Sequence, residues 1–278
     1  MTRYGFIGTG SMGSMLIRQF ILSGAIAKQD ITACSRQGAS AQEVAGETGI
    51  TVQDSPAEVA LNADVLFLCV RPLDVHGVIN EIRSSLSERT LLVSIAGCVT
   101  LANLADWAGQ NARCVKVIPS ITAEEHAGIS LVAWGQAVTE ADRELVFRIF
   151  SAIGTPVEIE ERHFEIYGDL TSCAPALISA MMQEFALAAV RREGVPPALA
   201  TFLVQQTLIG TAWLVDRDDT DFDEVISRVA TKGGITEEGV KVLRNRLPAI
   251  YDELLDVTLA KHELVKQKIT NPDTPHRN

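Results

Sequence analysis

Short apolar runs alternate with amphipathic stretches over the first 158 residues of the chain. Runs without regular polar alternation, which are typical of strands covered on both faces, occur at 64–70 and 90–95. Further strands are predicted at 4–7, 30–34, 113–118, 128–134 and 155–159. Helices are predicted between them, at 39–48, 73–86 and 140–152, and a capping box at residues 55–58, with proline at the first helical position, predicts the start of another. This alternation predicts an α/β domain with a doubly wound, mostly parallel sheet.

The pattern changes near residue 160, beyond which every periodic segment is helical. Helices are predicted at 161–168, 174–193, 197–215, 221–230 and 236–268. We therefore predict two domains, a Rossmann-type sheet domain over 1–160 and an all-α domain over 161–270. Residues 271–278 contain two prolines and little that is apolar, so a disordered tail is predicted there.

One apolar stretch, residues 173–190, could be mistaken for a membrane span. Gln183 and Glu184 fall in its middle, where a lipid-facing carboxylate would be costly. We interpret the stretch as a helix buried in a core or at a subunit interface.

The composition fits a soluble enzyme. The chain has 278 residues, is 47% apolar and carries a net charge of −11. This charge argues against nucleic acid or an anionic membrane as the main partner. The five cysteines show no C-x-x-C spacing, which predicts free thiols in the cytoplasm, with no metal site and no disulfide. No secretory signal is predicted at the N-terminus.

The most informative stretch is residues 5–13, GFIGTGSMG. A predicted strand runs into Gly8-x-Gly10-x-x-Gly13, and an apolar helix pattern follows at once. In such a motif the glycines allow a tight turn, a close approach of the backbone to a pyrophosphate, and close helix–strand packing. The helix N-terminus offers free N–H groups to the phosphates. We predict a dinucleotide site formed by Gly8, Thr9, Gly10, Ser11, Met12 and Gly13.

The end of the second predicted strand indicates which dinucleotide binds. An Asp or Glu about 20 residues past the glycines would hold the ribose 2′-hydroxyl of NAD. This chain has Ser35 and Arg36 there. A guanidinium group can bind a 2′-phosphate, so NADP is favoured. The alternative is that Arg36 is an ordinary solvated turn residue.

Three further segments follow predicted strands, where ligands lie in open parallel sheets. These segments are Val70-Arg71-Pro72, Ala96-Gly97, and residues 118–122, which include Pro119 and Ser120. We assign Val70, Arg71, Pro72, Ala96 and Gly97 to the cofactor site. Arg71 either touches the cofactor or is simply exposed at a strand end.

In the helical half, residues 231–236 combine two glycines with the start of a helix. Consecutive free N–H groups at Gly233 and Gly234, with the Thr236 hydroxyl nearby, would form a carboxylate cradle. An inter-helix turn with Thr236 as its N-cap is an equally good interpretation.

Taken together, these motifs resemble the pyrroline-5-carboxylate reductases almost end to end. The segments that carry the resemblance are GFIGTGSMG, DVLFLCVRP, LLVSIAG, VKVIPSIT, SCAPA and TKGGIT. The resemblance implies that the helical domain mediates dimerisation. It also implies an NADPH-dependent imine reductase that reduces 1-pyrroline-5-carboxylate, or a related cyclic imino acid, to proline.

The resemblance also implies roles for individual residues. Gly233, Gly234 and Thr236 would hold the substrate carboxylate. The nicotinamide would lie near Ala96, Gly97 and Pro119. Ser120 is assigned with Thr236, Gly233 and Gly234 to the catalytic set. Since solvent can protonate the imine and the sequence reveals no His–Asp pair, no strong general acid is expected.

The chain departs from the family pattern around the substrate. The family usually has Pro-Asn-Thr-Pro where this chain has Pro119-Ser120-Ile121-Thr122. It usually has Ser-Gly-Ser-Gly-Pro-Ala-Tyr at residues 171–177, and Ser-Pro-Gly-Gly-Thr-Thr at residues 231–236, where this chain has TSCAPAL and TKGGIT. These departures resemble the late-competence branch and keep open a non-catalytic or regulatory NADP-binding homodimer. A 3-hydroxyacid dehydrogenase is disfavoured, because residues 174–190 contain no lysine to act as its base.

Overall fold

The computed structural model describes residues 1–217 and 220–271. The chain divides into two compact units: Met1–Cys173 together with Thr258–Asn278, and Ala174–Val257. The domains predicted over 1–160 and 161–270 stay a prediction. The predicted tail lies, apart from its first residue, outside the described residues.

The first unit contains an eight-stranded sheet in the order β3-β2-β1-β4-β5-β6-β7-β8. The strands are β1 (Tyr4–Ile7), β2 (Ile31–Cys34), β3 (Thr51–Val52), β4 (Val65–Leu68), β5 (Leu91–Ser94), β6 (Arg113–Ile118), β7 (Gly128–Trp134) and β8 (Gly154–Glu158). The pairs are parallel except for β6 and β7, which run antiparallel. The mostly parallel sheet is therefore confirmed.

Helices cover both faces of this sheet. They are α1 (Ser11–Leu22), α2 (Ala39–Thr48), α3 (Pro56–Asn62), α4 (Val75–Ile82), α5 (Leu101–Ala108), α6 (Glu140–Ser151) and α7 (Phe164–Thr171). In β4, Phe67 packs in a core with Phe20 of α1, whereas Leu68 packs in a second core with Ile79 of α4. Successive side chains of β4 thus point to opposite buried faces, which explains the uniformly apolar run.

Two elements of the first unit were missed at the level of sequence. The strand β3 has only two residues, too few to show a period. Helix α5 follows a capping box in which Thr100 and Asn103 each accept a hydrogen bond from the other's backbone N–H. The helix predicted at 73–86 is shorter, since residues 72–74 form a separate 3-10 turn before α4.

The second unit is helical, as predicted. It contains α8 (Ala174–Glu193), α9 (Pro197–Arg217), α10 (Phe222–Val229) and the part of α11 (Ile235–Thr270) up to Val257. In the single chain only Ala186 of α8 is buried, so the core-helix interpretation of this stretch is wrong and the interface interpretation remains. By length and composition alone, residues 161–193 and 197–216 could each cross a membrane, which is weak evidence.

Candidate functional site

The glycine turn between β1 and α1 has the geometry that its motif predicts. Gly8 adopts a positive φ of 99°, and a Cβ there would lie 2.5 Å from the carbonyl oxygen of Cys69. A Cβ on Gly13 would lie 2.2 Å from the carbonyl oxygen of Gly8. At Gly10 a Cβ would meet nothing within 4 Å. Gly8 and Gly13 are therefore required by the fold, while Gly10 faces open space that a ligand can enter.

The N-terminus of α1 is left open at this turn. Its N-cap is Gly10, which has no side chain to accept hydrogen bonds from the first N–H groups of the helix. The Ser14 hydroxyl donates to the carbonyl oxygen of Thr9 at 2.7 Å, and the Thr9 hydroxyl lies 2.7 Å from that of Ser40. These bonds hold the turn in place, and the helix dipole favours an anion there.

Two arginines meet at the ends of β2 and β4. Arg36 Nη2 lies 3.0 Å and Arg71 Nε lies 2.9 Å from the same oxygen, Oδ2 of Asp74. The hydrogen bond from Arg71, together with Arg36, lowers the pKa of the Asp74 carboxyl. Both guanidinium groups are largely exposed. The structure thus brings together two predicted residues, and the Asp74 carboxylate between them was not singled out from the sequence.

The other predicted cofactor residues lie where the strand assignments put them. Val70 and Pro72 follow β4, and the buried Ala96 follows β5. Ser35 follows β2, and its hydroxyl accepts a hydrogen bond from the N–H of Ala41 at 3.3 Å. The structure holds all four at the carboxyl edge of the sheet, and their role in cofactor binding stays a prediction.

A cavity of about 210 Å³ lies within the first unit, beside the glycine turn. Its lining includes Met12, Gly97, Lys116, Pro119, Glu165 and His262. Three of these, Met12, Gly97 and Pro119, were predicted from sequence to lie at the cofactor. The other three are ionisable residues that the sequence analysis did not select.

One lining residue, His262, belongs to a histidine–aspartate pair. His262 Nε2 lies 3.2 Å from Asp169 Oδ1, and His262 Nδ1 lies 3.4 Å from the sulfur of Cys98. The Thr258 hydroxyl donates to Asp169 Oδ2 at 2.6 Å. Burial raises the pKa of the Cys98 thiol. The expectation that the chain lacks a His–Asp pair is therefore wrong, because the two residues are 93 positions apart and meet only in the fold.

Two lysines face this region in different settings. Lys266 Nζ lies 3.0 Å from Glu165 Oε1, forming a partly buried ion pair. Lys116, on β6, is 1% exposed, and its Nζ lies 4.5 Å from the ring centroid of Phe164. The sequence does carry a signal for Lys116, because a lysine inside the apolar run CVKVI is unusual for a strand buried on both faces.

Ser120 is buried just after β6. Its hydroxyl donates to the carbonyl oxygen of Thr171 at 3.2 Å and accepts from the Thr122 hydroxyl at 3.0 Å. The single hydroxyl proton of Ser120 is thus already used to hold the end of α7. This arrangement fits a positioning role, and the assignment of Ser120 to the catalytic set stays a prediction.

The glycine turn before α11 lies in the second unit. Gly233 adopts a φ of 75°, and its N–H donates to Glu237 Oε2 at 2.8 Å. The N–H of Gly234 donates to the carbonyl oxygen of Thr231 at 2.9 Å. Both N–H groups of the predicted cradle therefore have acceptors within the chain. The hydrogen bond from Gly233 lowers the pKa of Glu237, which keeps this carboxyl ionised near neutral pH.

Comparison with known proteins agrees with a nucleotide-binding sheet domain followed by a helical domain. A family model described as "NADP oxidoreductase coenzyme F420-dependent" matches residues 3–97, and one described as "Pyrroline-5-carboxylate reductase dimerisation" matches residues 161–264. Pyrroline-5-carboxylate reductase 3 of Bacillus subtilis is 33% identical over 97% of this chain and 98% of its own length. ComE operon protein 4 of the same organism is 29% identical over 94% of this chain and 95% of its own length.

A solved structure gives the same fold. The pyrroline carboxylate reductase of Plasmodium falciparum, determined with NADP bound, has a TM-score of 0.85 and 24% identity, and the match covers 95% of this chain and 98% of that one. The sheet order, glycine turn and helical second unit define a protein of the Rossmann-type class with an appended helical domain. More particularly, the chain belongs to the pyrroline-5-carboxylate reductase family.

Proposed function

We propose that the protein is an NADPH-dependent imine reductase that converts 1-pyrroline-5-carboxylate, or a related cyclic imino acid, to proline. The observation that carries this proposal is the open N-terminus of α1 beside a cavity lined by Met12, Gly97 and Pro119. A dinucleotide whose phosphates lie at the turn can direct its reactive ring towards such a cavity.

The cofactor side of the proposal rests on three groups of residues. Gly8, Gly10 and Gly13 let a pyrophosphate approach the free N–H groups of α1. Arg36 and Arg71 would bind the 2′-phosphate of NADP in place of Asp74. Gly97 and Pro119 would contact the nicotinamide. The residues present therefore fit the phosphorylated cofactor better than NAD.

When bound, NADPH supplies a hydride to the C=N carbon of the imine. The protein has to orient the ring, exclude water and hold the carboxylate of the substrate. Thr236 and the N–H groups of Gly233 and Gly234 are the proposed carboxylate ligands. For this to happen, the two N–H groups would have to leave Glu237 and the carbonyl oxygen of Thr231.

The proposal includes a homodimer in the cytoplasm. Helices α8 and α9 expose large apolar side chains in the single chain, among them Phe185 and Leu203. Contiguous apolar surface of this kind marks an interaction surface. The match of residues 161–264 to a dimerisation model supports a second copy as the occupant.

The direct test is NADPH oxidation by the purified protein with 1-pyrroline-5-carboxylate, with NADH in parallel. Turnover that prefers NADPH is the expected result. Binding of NADPH without turnover would instead support the non-catalytic or regulatory homodimer. Failure of calorimetry to detect binding of either nucleotide to folded protein would overturn the proposal entirely.

A further inference from the structure

Lys116 occupies a position where an ammonium group is costly. It lies in the middle of β6, between two neighbouring strands, and is 1% exposed. Among the residues that the structure describes, its ammonium group forms neither an ion pair nor a hydrogen bond, and it rests on the ring of Phe164. Burial lowers its pKa below the usual range of a lysine. Such a group destabilises the fold, so stability does not account for its presence.

The two carboxylates that act most on the pKa of Lys116 are bound to other groups. Glu165 pairs with Lys266 at 3.0 Å, and Glu161 Oε1 accepts a hydrogen bond from the N–H of Leu101 at 2.6 Å. The thiol of Cys98 stays protonated because burial raises its pKa. None of these groups holds the lysine in the described part of the chain, and the Lys116 side chain lines the cavity.

We propose that Lys116 is the proton donor of the reductase reaction. This inference rests on the proposed function, since it needs an imine in the cavity. Lys116, whose ammonium group has no ion pair or hydrogen bond in the described part of the chain, lines the same cavity as Gly97 and Pro119, where the nicotinamide and its substrate are proposed to lie.

The proposed step balances in atoms and charge. The hydride adds to the C=N carbon, and the π electron pair moves to nitrogen. The nitrogen takes a proton from Nζ of Lys116, which leaves a neutral lysine and a neutral secondary amine. Solvent then restores the proton to Lys116. A donor with a lowered pKa transfers its proton more readily than an ordinary lysine does.

The inference also explains why a cation at this place would not simply repel the substrate. A neutral imine has a nitrogen lone pair that accepts a hydrogen bond from an ammonium group. A substrate that was already protonated would be repelled by the same charge in this buried setting. The geometry therefore favours binding of the neutral imine followed by transfer of the proton within the site.

The first experiment compares Lys116→Met and Lys116→Arg with the wild type and with Arg143→Met. The control removes one cation from the surface of α6, where Arg143 pairs with Glu158. We expect both Lys116 variants to lose about 10²- to 10⁴-fold in kcat, because neither can donate a proton at neutral pH. Binding of NADPH, measured by calorimetry, should remain at the wild-type value in all three variants.

Thermal unfolding separates this role from a structural one. A lysine whose pKa is lower in the folded than in the unfolded state destabilises the protein at pH values below the folded pKa. Lys116→Met removes this penalty, so its Tm should rise while its kcat falls. A variant that lost activity because it was damaged would show a lower Tm and weaker NADPH binding, and this outcome would count against the proposal.

The pH profile of the wild type gives a second measurement that needs no variant. If Lys116 donates the proton, kcat falls as the pH rises through the lowered pKa of the lysine. The charged and titratable groups around Lys116 are Glu161, Glu165, Lys266, Cys98 and His262. Lys266→Met therefore serves as a further comparison. In this variant the fall of kcat at alkaline pH should occur at a different pH but should not disappear.

The outcomes keep the two proposals apart. If the wild type does not oxidise NADPH with any cyclic imine, the proposed function fails first. A second outcome is that the wild type oxidises NADPH while Lys116→Arg keeps both the wild-type kcat and its fall at alkaline pH. In that case a fixed positive charge is sufficient, and the proton-donor role is overturned. Loss of NADPH binding in Lys116→Met would assign the lysine to the cofactor, which also overturns it.

Discussion

At the scale of single residues, we predict that the pair of guanidinium groups on Asp74 selects the nucleotide that binds. Arg36 and Arg71 share one carboxylate oxygen, so each already lies where a phosphate oxygen would be accepted. Both arginines could be selected from the sequence, but the Asp74 carboxylate between them could not. Asp74 and Arg71 belong to another loop, and their approach to Arg36 depends on the sheet order.

Replacing Arg36 by Glu should reverse the cofactor preference. The change removes a charge-assisted hydrogen bond and adds repulsion, so the Kd for NADPH should rise about 10- to 100-fold while that for NADH changes little. Arg162→Glu is the matched control, because Arg162 is similarly exposed and pairs with Glu160. Calorimetric titration with both nucleotides checks this, and an unchanged NADPH-to-NADH ratio would refute the role of Arg36.

Glu237 gives a second prediction at this scale. Its carboxylate accepts the N–H of Gly233 and would compete with the carboxylate of a substrate for that group. Glu237→Ala should therefore lower the KM for the imino acid several-fold without changing NADPH binding. The neighbouring Glu238 bonds to Lys241 instead, so Glu238→Ala is the control. A raised KM in Glu237→Ala would show that the glutamate orders the turn rather than blocks it.

At the scale of secondary structure, the first turn of α1 depends on how closely it meets β1. Local patterns were enough to predict β1, α1, β6 and β7, since their apolar periods are long or bounded by glycine. Sequence could not show that β6 and β7 run antiparallel, because this depends on where the connecting segment leads.

Gly13→Ala tests this close approach. The new Cβ would lie 2.2 Å from the carbonyl oxygen of Gly8, so α1 has to shift away from the turn. We expect a loss of about 1–3 kcal/mol in the free energy of unfolding, and a weaker NADPH affinity. Gly46→Ala, in α2 where a Cβ meets nothing within 4 Å, should be neutral or stabilising. Urea unfolding of both variants gives the comparison, and equal effects would exclude a special role for Gly13.

At the scale of the whole molecule, the second unit leaves much apolar surface uncovered in the single chain. Sequence revealed that α8 and α9 are apolar, but not that Ala186 alone of the α8 residues would be buried in the single chain. An apolar helix pattern predicts that the helix is buried. It does not predict whether the surface that covers it belongs to the same chain or to a second copy.

Leu203→Glu should break the homodimer. Leu203 is 55% exposed in the single chain, and a carboxylate buried between two copies of α9 would be strongly unfavourable. We expect light scattering to give the mass of a monomer, with NADPH binding retained. Leu61→Glu places the same charge on an exposed leucine of α3 and should stay dimeric. If Leu203→Glu remained dimeric, the prediction that Leu203 lies in the dimer interface would be wrong.

The end of α11 has a practical consequence for the exchange of parts between relatives. Residues from Thr258 onward belong to the same unit as the sheet, and they supply His262 to Asp169 and Lys266 to Glu165. A chimaera joined once, near residue 173, would take Glu165 and Asp169 from one parent and His262 and Lys266 from the other. Transplanting the nucleotide-binding half intact therefore requires two junctions, with the final stretch of the last helix travelling alongside it.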